Sequence, residues 1–71
     1  MDIRKQVGLN VRRLRQEKGW SQEGLAFETG MHRTYISGIE RGVRNPTITV
    51  VERIATKLGV GPERLLQSSR S

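Results

Sequence analysis

Ile3, Val7, Val11 and Leu14 fall four, four and three residues apart, the spacing of one helical face. Gly19 after Lys18 is a stop signal for that helix. Ser21 offers an N-cap to a second, short helix from Gln22 to Glu28, with Glu23 in the first turn where the helix dipole favours an anion. Gly24 stands where a capping box would place Glu or Gln, and it costs this helix about 1 kcal/mol of propensity. Gly30 ends helix two. "HRTYISGIER", residues 32–41, is the third helix, closed by Gly42. Pro46 disfavours helix at Asn45, and Thr47 caps a fourth helix. Its buried stripe is expected to be Ile48, Val51, Ile54, Ala55 and Leu58, ahead of a stop at Gly59. Pro62 suits the first position of a last short helix carrying Leu65 and Leu66. "TITVV" alternates like a strand, but the residues after it keep helical spacing. "QSSRS", residues 67–71, reads as a flexible tail. With no repeat and no linker, residues 1–71 are expected to form one all-α domain of five helices around a shared core.

Length and composition limit what such a domain can do. A chain of 71 residues buries about 60% of its unfolded surface, so the core is small and leaves no room for a deep catalytic cavity. There is no cysteine and a single histidine, no Gly-rich phosphate loop and no carboxylate pair set for a pocket. An enzyme, a metal site and a cofactor are therefore not expected. No apolar run approaches the roughly 20 residues of a membrane span, and the N-terminus has no signal-peptide core. The expected setting is the cytoplasm, in association with the nucleoid. Net charge is +6 and the pI about 11.2, which points to a polyanionic partner, nucleic acid first.

The placement of that charge is more informative than its sum. With Arg33 at zero and about 100° per residue, Ser37 falls near 40°, Arg41 near 80°, Thr34 near 100° and Gly38 near 140°. Tyr35, Ile36 and Ile39 lie on the opposite side. One side of helix three can pack, then, while the other carries short polar groups, a glycine and two arginines. A major groove about 12 Å wide admits one such helix. Arg33 can chelate the O6 and N7 of guanine, and Thr34 can offer a hydroxyl to a base edge and a methyl to thymine. Ser37 and Arg41 lie farther along, within reach of a base or a phosphate. Gly38 would let the backbone approach closely.

Helix two, the turn Thr29–Gly30–Met31 and helix three together make a helix-turn-helix, residues 21–41, in which the second helix enters the groove and the first crosses the backbone. Gln22 then points at a phosphate. Arg44, Asn45 and Thr47, in "RGVRNPT", offer phosphate chemistry on the other flank. His32 is placed to cap helix three or touch phosphate, and Tyr35 packs with its hydroxyl toward a phosphate. Trp20 reads as a lid on the core.

"GWSQEGLAFETGMHRTYISGIERGVRNPT" resembles the Cro/repressor-type helix-turn-helix domain, the xenobiotic-response-element-like family. Gln22, Leu25, Ala26, Gly30, Ile36, Ile39, Glu40 and Gly42 fall in register with it, and the likeness runs from Val7 to Leu66. It implies a compact lambda-repressor-like fold and a sequence-specific regulator of transcription. Within the family, "HRTYISGIERGVRNPT" is most similar to the controller proteins of restriction–modification systems, small dimers that bind palindromic operators. The resemblance implies base reading by Arg33, Thr34 and Ser37. It also implies phosphate or buttressing contacts by Gln22, backbone contacts by Arg44, Asn45 and Thr47, and a salt bridge between Arg15 and Glu40. Gly24 and Gly38 depart from the family pattern.

Double-stranded DNA and a second copy of the chain are thus the expected partners, with RNA polymerase as a further one and no membrane. Val60, Leu65 and Leu66 are expected to serve both core and dimer interface, because a core this small gains from a partner and a palindrome demands two copies. The alternative reading is an antitoxin-type or other protein-binding helical module.

Overall fold

In the computed structural model, residues 2–68 are described. The first helix, α1 (Ile3–Glu17), starts where Asp2 Oδ1 accepts the Arg4 N–H at 3.0 Å. Ser21 Oγ accepts from Gly24 N–H at 2.9 Å and opens α2 (Gln22–Thr29). Thr47 Oγ1 accepts from Val50 N–H at 3.2 Å and opens α4 (Ile48–Leu58). These three caps satisfy backbone donors that a helix start leaves without partners. Between them lies α3 (Arg33–Glu40), and α5 (Glu63–Leu66) follows α4. Among the described residues there is no strand, and "TITVV" opens α4 with its cap as the helical spacing beyond it requires.

Leu25, Ile36, Ile39, Ile54, Leu65 and Val11 are the large side chains at its centre, and Trp20, Met31, Tyr35, Val50 and Val60 pack partly buried around them. Helices α1 and α3 meet at Gly8. A Cβ there would fall against the backbone carbonyl oxygens of Ile39 and Glu40, so only glycine lets α1 lie against the end of the third helix.

Two expectations about apolar residues need correction. Ile48 is 87% exposed, not part of the α4 stripe, which begins at Val51. Being the first residue of the helix, it overhangs the core that Val51, Ile54, Ala55 and Leu58 close. Leu65 is fully buried and belongs wholly to the core, while its neighbour Leu66 faces outward. Buried Asn10 holds α5 in this setting: its Nδ2 donates to the carbonyls of Leu65 at 2.8 Å and Gln67 at 2.7 Å, fixing α5 on α1. The chain is therefore still held at Gln67, the first residue of the stretch read as a tail. Residues 69–71 of that tail lie outside the described residues.

Candidate nucleic-acid interface

The turn between α2 and α3 is set by Gly30, whose φ of 71° is left-handed. Its N–H donates to Phe27 O at 3.3 Å, and Met31 N–H donates to Ala26 O at 2.9 Å, the Schellman closure of a helix end. This closure turns the chain within three residues and starts α3 at Arg33.

Beneath α3 sits a polar network with almost no contact with water. Arg15 Nε donates to Glu40 Oε2 at 2.6 Å and its Nη2 to Glu40 Oε1 at 2.9 Å. Both side chains are about nine-tenths buried or more. Arg15 Nη1 donates to Trp20 O at 2.8 Å, and Gln22 Nε2 donates to Glu40 Oε1 at 3.1 Å. One guanidinium thereby joins α1, the loop before α2 and the C-terminal end of α3, and Gln22 adds the start of α2. The hydrogen bonds with Glu40 push Arg15 above its ordinary pKa, so it is a fixed cation.

Held this way, α3 buries Ile36 and Ile39 completely and half-buries Tyr35. Arg33, Thr34 and Arg41 are exposed and Ser37 is half-buried. Arg44, Asn45 and Thr47 are exposed on the loop that follows. The structure thus brings the expected base-reading and flanking residues onto α3 and its adjoining loop.

Several placements differ from the sequence reading. His32 is exposed at the N-cap position of α3, but its side chain makes no cap hydrogen bond. Arg41 is the C-cap, so the helix is one residue shorter at each end than 32–41. Gln22 is turned toward Glu40, an inward partner that the N-terminal position on α2 did not reveal. Gly38 does not open the helix to a close approach, because it is buried beneath the side chain of Arg44. Of the expected interface residues, Leu65 is inside, Val60 is half-buried against the core and Leu66 is exposed. Gly8 and Asn10 were missed. A glycine inside an otherwise strong helical pattern at Gly8 was the available signal.

The helix-turn-helix family model HTH_3 matches residues 11–65, a span that takes in the whole α2–turn–α3 unit. The chain belongs to the helix-turn-helix family. Among its relatives in that family is control protein C.BamHI of Bacillus amyloliquefaciens, 52% identical over 66 residues, which cover 92% of this chain and 82% of the relative. The crystal structure of the restriction-modification controller protein C.AhdI from Aeromonas hydrophila matches with a TM-score of 0.84 and 42% identity, over 87% of this chain and 94% of that one. The master regulator for biofilm formation SinR, crystallised in complex with DNA, matches with a TM-score of 0.81 and 35% identity, over 86% and 98% of the two chains. The family's relatives are regulators of transcription, and controller proteins stand among them as "HRTYISGIERGVRNPT" implies.

Proposed function

We propose that this chain is a sequence-specific DNA-binding regulator of transcription, of the restriction–modification controller kind, which binds a palindromic operator as a homodimer. One observation carries the reading. In a chain of charge +6, α3 is buried along Ile36 and Ile39 yet presents Arg33 and Thr34 to solvent on its other side. Arg33 reads a guanine edge and Thr34 and Ser37 the neighbouring base pairs, while His32, Tyr35, Arg41, Arg44, Asn45 and Thr47 hold the sugar–phosphate backbone. Gln22 acts as a buttress, since its amide braces Glu40 at the foot of α3.

A dimer needs a patch that is its own complement, with a projection and a recess on one surface. A recess of about 490 Å³ lies between the starts of α1 and α4 and the short α5, lined by Ile3, Val7, Pro46, Val51 and Leu66 among others. Ile48 lines it too while remaining 87% exposed. Arg4, Glu52 and Glu63 also border it, so opposite charges can pair across a two-fold axis. This patch, with Leu66 as the one residue shared with the sequence reading, is the proposed interface. A dimer on a palindrome needs its two recognition helices about 34 Å apart, one turn of the duplex.

Selection of bound duplexes from a random pool tests the reading. A palindromic consensus with half-sites about one helical turn apart is the expected result. Failure to enrich any sequence would overturn it.

A further inference from the structure

Gly38 lies inside the recognition helix, one turn beyond Thr34 on the same side, and it is buried. Its cover is Arg44. A Cβ built on residue 38 would fall 2.5 Å from Arg44 Cγ, 3.5 Å from its Nε and 3.6 Å from its Cβ. The aliphatic stem of the arginine runs through the space that any other side chain at residue 38 would occupy. The backbone fixes this approach, because Gly38 O accepts Val43 N–H at 3.0 Å and Arg44 N–H at 3.2 Å.

We propose that Gly38 is a positioning residue for DNA binding, the seat on which the stem of Arg44 rests so that a loop guanidinium works from the DNA-facing side of α3. The inference rests on the function proposed above and assigns a role to a residue that touches no DNA itself. Glycine is among the least favourable residues for a helix interior, and alanine here would give a stronger helix. Its presence is explained if the missing side chain is what Arg44 requires. An exposed arginine on an open loop samples many rotamers, and ordering it on contact with DNA weakens binding. A stem already laid across the helix removes part of that cost, and its Nε lies 3.5 Å from where the side chain of residue 38 would otherwise begin.

The test uses wild type, Gly38→Ala, Arg44→Ala and the double variant. Affinity is read by fluorescence anisotropy across a salt series, on a duplex selected from the random pool and on an unrelated duplex. Gly38→Ala and Arg44→Ala are each expected to lose about tenfold in affinity, the effect of one charged hydrogen bond. Each is expected to lower the salt slope by about 1, and the double variant to bind no worse than Arg44→Ala. Wild-type affinity and slope in Gly38→Ala, an unchanged affinity in Arg44→Ala, or full additivity of the two losses would each overturn the proposal. Thermal melting adds a second readout. If Gly38→Ala melts below wild type, the clash with Arg44 requires the double variant to melt higher again, and a double variant as unstable as the single would refute the seat. A wild-type chain that retains no duplex at all would instead sink the DNA-binding reading from which the inference starts.

Discussion

Arg15 grips Glu40 with two donors, Nε at 2.6 Å and Nη2 at 2.9 Å, and so locks α1 to the C-terminal end of α3. The pair is nearly dry, so removing one partner strands a charge out of water. Arg15→Ala or Glu40→Ala should each destabilise the fold by about 3–5 kcal/mol. A double replacement by apolar residues of similar volume, Arg15→Met with Glu40→Leu, should cost clearly less than the sum of the singles. Urea unfolding checks this, and purely additive losses would show that the pair is not coupled.

Arg33 and Thr34 stand exposed on the rim of α3, and Arg33 has no carboxylate partner among the described ion pairs. If Arg33 reads a guanine, Arg33→Ala should weaken operator binding by about 1–3 kcal/mol and relax preference at one base pair. The check is affinity for cognate and random duplexes side by side. Equal weakening of both would remove Arg33 from base reading and place it on a phosphate.

The helices were legible because their ends are written in local chemistry. Ser21 and Thr47 cap, glycine follows each of the first four helices, and the apolar residues of α1 recur on one face. What could not be read is what one element does to another. Leu65 and Leu66 are adjacent and chemically identical, and which one is buried depends on how α5 docks on α1, where Asn10 holds the Leu65 carbonyl. Periodicity placed Ile48 on the core stripe, but it says nothing of where the neighbouring helices end. A helical wheel gives the direction in which residue 38 points, while the side chain filling that direction comes from a loop six residues on. The exposed polar side of α3 was legible in its outline for the same reason that its detail was not, since Ile36 and Ile39 orient the helix whatever lies across it.

Asp2 caps α1 and its carboxylate also takes the Arg4 side chain, with Nη2 to Oδ2 at 3.1 Å. The side-chain hydrogen bonds from Arg4 hold this carboxyl below its ordinary range, with the Arg4 N–H adding to them. A depressed folded-state pKa contributes stability that is present above the ordinary aspartate value and lost as pH falls through the lowered one. Asp2→Asn keeps a good cap but removes the charge. The melting temperature of wild type should exceed that of Asp2→Asn at neutral pH, and the gap should close in acid. A gap independent of pH would show that the charge plays no part.

Ile48 is the sharpest test of the proposed dimer patch, because it is 87% exposed in the protomer and lines the recess beside α5. A substitution at so exposed a site should change protomer stability by no more than about 0.5 kcal/mol. Ile48→Glu would nevertheless place two carboxylates in an apolar contact if two copies meet there, one from each side of the axis. Sedimentation at micromolar concentration should then show wild type as a dimer and Ile48→Glu as a monomer, with Leu66→Glu behaving alike. Phe27, 83% exposed on α2 and no part of the recess, supplies the control: Phe27→Ser should leave the dimer intact. The monomeric variant should keep its far-ultraviolet helix signal and its weak binding to a half-site, but lose the added affinity of two linked half-sites. An Ile48→Glu protein that still sediments as a dimer would move the interface away from this patch.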